Sequence, residues 1–396
     1  MDGKRRSIAL LFACNFLCGL CFYAPVATLY RQAAGLSLLN ISVIESVSFG
    51  VMLVLEAPWG RLADRLGHRR TIVICFFILA LSKVVFWRAE TVCGFLVERL
   101  LLAAAGAGLS GCDSAYLFSL SEEGEAQKVY ERWNAWQTAG MLAAGGISSL
   151  FLTGRYRLSA LLTVFTYLGA ALLTLGLTEP EGEVRNSRER PDFKEAFRQS
   201  LRLTPFLLAA ALLSETAQFI TVFLSQAQYL RAGISERWFG LLYAVVTAVS
   251  LLGAASHALT RRLGEGRSIG VLLLVAALIC LGMAIWPLGV VAVAGVVLLR
   301  LAAALFLPLS LSLQNREAAR GSVGQATQLS CNAVVMDLVS LFLNPAFGQS
   351  AELGTDRALL LGGLACGVGL AVVAGWRRTE GRRNTDRHSS PRAGPQ

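Results

Sequence analysis

The chain has 396 residues, of which 55% are hydrophobic and 16% charged, with a formal charge of +10 at pH 7 and a mean hydropathy of +0.56. A soluble domain of this size needs more polar surface, and the basic residues lie between apolar runs rather than on one module, which excludes a nucleic-acid binder. Three histidines (His68, His257 and His388) and nine cysteines set in or beside apolar runs supply no nucleophile-and-base pair, metal-ligand set or disulfide framework, so neither an enzyme nor a metalloprotein is expected.

The apolar residues fall into about twelve runs of roughly 18 to 25 residues, each long enough to cross a hydrocarbon core of about 30 Å. Lipid offers the backbone no hydrogen-bond partners, so such runs must be helices. The first, over residues 7–30, follows Lys4, Arg5 and Arg6 as a leader peptide would, but no small-residue cleavage site comes after it, and it is read as a retained helix. Five more are expected over 39–59, 71–89, 92–118, 133–153 and 158–177, and six over 203–230, 236–258, 268–286, 288–313, 323–345 and 357–376. The polar stretch 178–202 divides a six-helix unit (1–177) from a second (203–376) and is read as a basic, partly helical cytoplasmic linker. The tail, 377–396, has no apolar pattern; it is expected to be disordered and held near anionic headgroups by its arginines. Most of the 36 Lys and Arg fall on the side that carries both termini, which places the termini in the cytoplasm. Only four of them are lysine, a bias that points to a GC-rich genome and a bacterial inner membrane.

Between the second and third helices stands GRLADRLGHRRTI, residues 60–72. Its glycines permit a tight turn and close helix approach, and its charges keep the loop in water. Gly60, Leu62, Ala63, Asp64, Arg65, Gly67 and Arg69 resemble the cytoplasmic signature of the major facilitator superfamily, with His68 where that family usually carries arginine. The resemblance extends to helix count, linker position and internal repeat. It implies an all-α membrane fold of two pseudo-symmetric six-helix bundles that move a small molecule by alternating access, with these motif residues as a charge-relay latch against the start of the eleventh helix. The chain departs from many drug and proton antiporters of the family in lacking a Gly-Pro dipeptide in its fifth helix, WNAWQTAGMLAAGGISSLFLT.

The repeat is visible directly. AGLSLLNISVIES (34–46) aligns with AGISERWFGLLYA (232–244) half a chain length later, LADRLGHRR (62–70) aligns with LTRRLGEGR (259–267), and Arg99 has a counterpart in Arg300. Two parallel repeats place a substrate site at the midplane between them.

An ionisable group at the centre of a bilayer costs about 3 kcal/mol on insertion scales, so each one is a functional candidate. Lys83 in the third helix requires a carboxylate partner. Arg99 and Asp113 lie on one face of the fourth helix; Arg99 resembles the family's fourth-helix arginine tied to proton coupling, and a structural ion pair with Glu98 or Glu45 is the alternative. On the seventh helix Ser214, Gln218, Thr221, Ser225 and Gln228 recur at spacings of four and three as one polar stripe, with Glu215 beside it near the midplane. Glu215, Asp113, Glu45, Asp337 and Arg99 are the candidates for proton coupling. Asn15, Ser214, Gln218, Thr221, Ser225, Lys83, Arg300, Gln328 and Asn332 are those for the substrate cavity. No nucleotide-binding loop of the form Gly-x-x-x-x-Gly-Lys-Ser/Thr occurs, so no cofactor is expected and the energy comes from a gradient, with protons the ion that the carboxylates suit. The expected function is proton-driven export of a small amphipathic or hydrophobic compound by a monomer in the lipid bilayer. Uptake of a polar metabolite is the alternative, and a non-transporting receptor or scaffold the third reading.

Overall fold

The computed structural model describes residues 3–110, 112–121, 125–179, 193–320 and 325–389, and among these no strand occurs. The first half contributes α1 (Gly3–Ala33), α2 (Leu38–Leu66), α3 (His68–Arg88), α4 (Val92–Leu120), α5 (Ala126–Phe151) and α6 (Tyr156–Thr174). The second contributes α7 (193–231), α8 (236–263), α9 (Glu265–Ile285), α10 (Gly289–Arg320), α11 (Gln325–Leu353) and α12 (Thr355–Ser389). Eleven of these are long and apolar enough to cross a membrane. The remaining one, α5, is a continuous helix of 26 residues whose opening turns, AQKVYERWN, are polar.

The duplication is written into the turns. At the α1–α2 turn, Leu36 N–H donates to the Arg31 carbonyl at 3.0 Å and Gly35 N–H to Gln32 at 2.9 Å. At the α7–α8 turn, Ile234 N–H donates to Tyr229 at 2.9 Å and Gly233 N–H to Leu230 at 3.0 Å. Gly35 and Gly233 have φ of 89° and 75°, left-handed values that a side chain would strain. The motif turn repeats as well. Gly67 ends α2, and its carbonyl accepts from Thr71 Oγ1 at 3.0 Å; Gly264 ends α8, and its carbonyl accepts from Ser268 Oγ at 2.8 Å.

Several helices depart from regular geometry. Pro25 lies within the break between Gly3–Gly19 and Ala27–Ala33 in α1, α4 breaks after Leu109, α7 contains a π-helical turn over Phe219–Leu224, and α8 tightens to 3-10 over Leu251–Ala255. The tail differs from expectation: from 377 it continues α12 as helix to Ser389, because arginine is a good helix former and extending an existing helix avoids the cost of nucleation. The helical end of the linker, 193–202, starts α7, while 180–192 and 390–396 lie outside the described residues.

The halves join where α2 packs along α11 and α5 along α8. At the end away from the termini, hydrogen bonds link them: Leu39 N–H to Glu352 Oε1 at 3.0 Å, Leu29 N–H to Gln226 Oε1 at 3.0 Å, and Ser149 Oγ to the Arg237 carbonyl. Here Gly145 and Gly240 bring the backbones of α5 and α8 into contact, and a Cβ on Gly145 would stand 2.7 Å from the Gly240 carbonyl oxygen.

Candidate functional site

The first half encloses a cluster of charges built by α1, α3 and α4. Glu98 is fully buried, with Arg31 Nη2 at 3.6 Å and Lys83 Nζ at 3.7 Å, and neither carboxylate oxygen accepts a hydrogen bond from the described residues. Lys83 Nζ donates to Tyr23 Oη at 2.9 Å and lies 5.0 Å from the centre of the Tyr167 ring; the Arg31 guanidinium stands 5.5 Å from that of Phe86. Tyr23 and Tyr30 both stack on Phe86, so an aromatic wall keeps water from the cluster. Two cations on one carboxylate leave a local surplus of one positive charge. The partner that Lys83 requires is therefore Glu98. Arg31 belongs to the cluster although its place at the end of the first apolar run gave no signal of burial.

Beside the cluster, Arg99 pairs with Glu45 of α2, and Ser48 Oγ donates to the Arg99 carbonyl at 3.2 Å. Of the two partners open to Arg99 from sequence, the structure selects Glu45.

In the second half, Glu215 is half-buried on α7 and accepts from Asn344 Nδ2 of α11 at 3.1 Å. Among the described residues no cation pairs with it; the charged side chains that act on it are the carboxylates Asp337 and Glu45. The polar stripe expected on α7 is not continuous. Ser214 and Gln218 are half-buried next to Glu215, but Thr221 is 9% and Ser225 6% exposed, and Gln228 is buried against the Met283 carbonyl. The π turn between them is the reason, since one extra residue rotates the following face by about 100°.

Other expected cavity residues serve as braces between helices. Asn15 Nδ2 donates to the Trp133 carbonyl at 2.7 Å, tying α1 to α5. Gln328 Nε2 donates to Ser200 Oγ at 2.8 Å, and Ser200 Oγ lies 2.8 Å from Asn332 Oδ1, tying α11 to the start of α7, all three being buried. Asp113 opens the lower segment of α4, where its Oδ1 accepts from Ser114 N–H at 2.6 Å, a favourable place for an acid at a helix amino terminus. Arg300 of α10 is half-buried, and its Nε donates to Ser250 Oγ of α8 at 2.8 Å.

In the motif, Gly60, Leu62 and Arg65 are exposed, whereas Arg69 donates from Nε to the Leu177 carbonyl at 2.7 Å and from Nη2 to Leu175 at 3.3 Å, so it caps the end of α6 with a cation. His68 Nδ1 and Cys112 Sγ lie 3.3 Å apart on the wall of a cavity of about 250 Å³ shared with Glu56, Trp59 and Ser110. The side chain of Asp64 and residues 321–324 before α11 lie outside the described ones, and with them the expected latch.

Two bundles of membrane-spanning helices related by an internal repeat, with charges held at depth, define a secondary transporter rather than an enzyme. The chain belongs to the Major Facilitator Superfamily, whose sequence profile matches residues 8–336. An uncharacterized MFS-type transporter of Methanocaldococcus jannaschii is 24% identical over 123 residues, 31% of this chain and 32% of its own length, so the similarity spans about a third of that relative. The fold is similar to that of the nucleoside transporter NupG (TM-score 0.76, 15% identity, covering 96% of this chain and 99% of that one). It is also similar to a POT family transporter solved with a thioalcohol-conjugated peptide (TM-score 0.71, 13% identity, covering 93% and 96%).

Proposed function

We propose that this transporter couples proton movement to the export of a small amphipathic compound. We also assign it, as a monomer with both termini in the cytoplasm, to a bacterial inner membrane. The observation that carries the reading is Glu215: a carboxyl at mid-span, half-buried and held by an amide instead of a cation, is free to exchange a proton as the bundles move. Asp337, a carboxylate that acts on it, adds a second acid on the same side, whereas Glu45 is held by Arg99. With the termini inside, the end joined by hydrogen bonds faces outward, and a compound to be exported enters from the cytoplasmic end.

The test is Glu215→Gln in proteoliposomes carrying an imposed pH gradient. The gradient-driven component of transport is lost, while the melting temperature stays within a few degrees of the parent, because the amide still meets Asn344. Undiminished proton coupling in the variant rejects the assignment. The missing Gly-Pro in α5 favours a second reading, uptake of a polar metabolite. Drug susceptibility against growth on candidate nutrients, in cells that overproduce the protein, separates the two.

A further inference from the structure

The repeat sets Glu45, Phe49 and Met52 of α2 in register with Tyr243, Thr247 and Ser250 of α8, while Arg99 of α4 has its counterpart in Arg300 of α10, about one helical turn beyond that register. In the first half the arginine is neutralised by Glu45. In the second the corresponding position is Tyr243, the titratable side chain beside Arg300, and among the described residues no carboxylate pairs with that guanidinium. Its Nε is engaged by Ser250, whereas its Nη groups donate to no described residue. Tyr243, Thr247 and Ser250 share one face of α8 at spacings of four and three, and all three are half-buried, as is Arg300.

We propose that Arg300 binds an anionic group of the substrate, so that the transported amphipathic compound is an organic oxyanion, a carboxylate in the first instance. A cation at this depth without an internal partner is costly, and the cost is met when a ligand brings the missing negative charge. The planar guanidinium presents two Nη donors in the geometry of a carboxylate, and Tyr243 beside it adds a hydroxyl. The same face offers no carboxylate to an amine, so it selects against cations. This inference rests on the transport of an amphipathic molecule proposed above and names its charge.

The experiment is a thermal-shift titration of the purified full chain with benzoate and octanoate, against benzamide, octanamide and benzylammonium. The two carboxylates raise the melting temperature and the neutral and cationic analogues do not. Arg300→Gln weakens carboxylate binding by about tenfold or more, as loss of a charge-assisted contact does, and Arg300→Lys falls between. Without ligand, Arg300→Gln melts close to the parent because it strands no charged partner and Ser250 keeps its bond to the Val246 carbonyl, whereas Arg99→Gln, which strands Glu45, melts lower. The proposal is overturned if the amides bind as well as the acids, if carboxylate binding survives Arg300→Gln, if no carboxylate shifts the melting temperature, or if Arg300→Gln fails to fold. Glu215→Gln distinguishes the two proposals. Carboxylate binding together with unchanged proton coupling in that variant removes Glu215 from the mechanism and leaves Arg300 in place.

Discussion

Glu98→Gln is expected to destabilise the folded protein by about 3–5 kcal/mol, the usual cost of removing one partner from a buried ion cluster. The amide has the shape of the carboxylate, so the effect is electrostatic: Arg31 and Lys83, both nearly inaccessible to water, lose their shared counter-charge. Lys83→Met is far milder within the same cluster, because it removes the surplus cation and leaves Arg31 paired with Glu98; its cost is the lost bond to Tyr23, about 1 kcal/mol. The double variant carries one unpaired cation instead of two and should fall between the single changes. Chemical unfolding in detergent measures all three against the parent. A double variant no more stable than Glu98→Gln alone would mean that the three charges do not act as a unit.

Much of this arrangement was legible in the sequence, because the rules behind it are local. Lipid forces apolar runs into helices wherever they occur, so the spans over 71–89 and 268–286 are found as α3 and α9 within a few residues. The aligned stretches 34–46 and 232–244 open on the repeated turn, where the left-handed backbone suits Gly35 and Gly233. Lys83 implied a buried acid, and one is present. The polar stripe of α7 failed because counting by 3.6 assumes an uninterrupted helix, and the π turn at Phe219–Leu224 changes the face on which Thr221 and Ser225 lie. Gln328 and Asn332 looked cavity-facing, yet their partner is Ser200, a residue more than a hundred positions away that no periodicity connects to them. Arg31 was overlooked for the converse reason. A basic residue at the end of a span reads as an interfacial anchor, and only the tertiary fold shows that it turns inward to Glu98.

Gly240→Val is expected to open the end of the molecule away from the termini. A side chain at Gly240 would run into the Gly145 carbonyl and stand 2.6 Å from the Ser149 amide, both backbone atoms of α5 that cannot be moved without parting the bundles. Overpacking of this kind costs about 1–3 kcal/mol. When the clash exists in only one of two states, the whole cost appears as a shift of population, roughly 5- to 150-fold at 1.4 kcal/mol per factor of ten. Leu39, Leu29 and Ser149 bridge the halves at this end, so an alternation of the two bundles that opens it has to break these bonds along with the α5–α8 contact. Spin labels on Cys93, the exposed one of the nine cysteines, and on Val290→Cys, at an exposed position of the other half, report the separation across this end. The variant should show a longer distance and slower net transport, since a cycle that cannot close one gate cannot reset. If the distance distribution matches the parent and only the melting temperature falls, then the α5–α8 contact is static packing, and the moving surface of this transporter lies elsewhere, along α2 and α11.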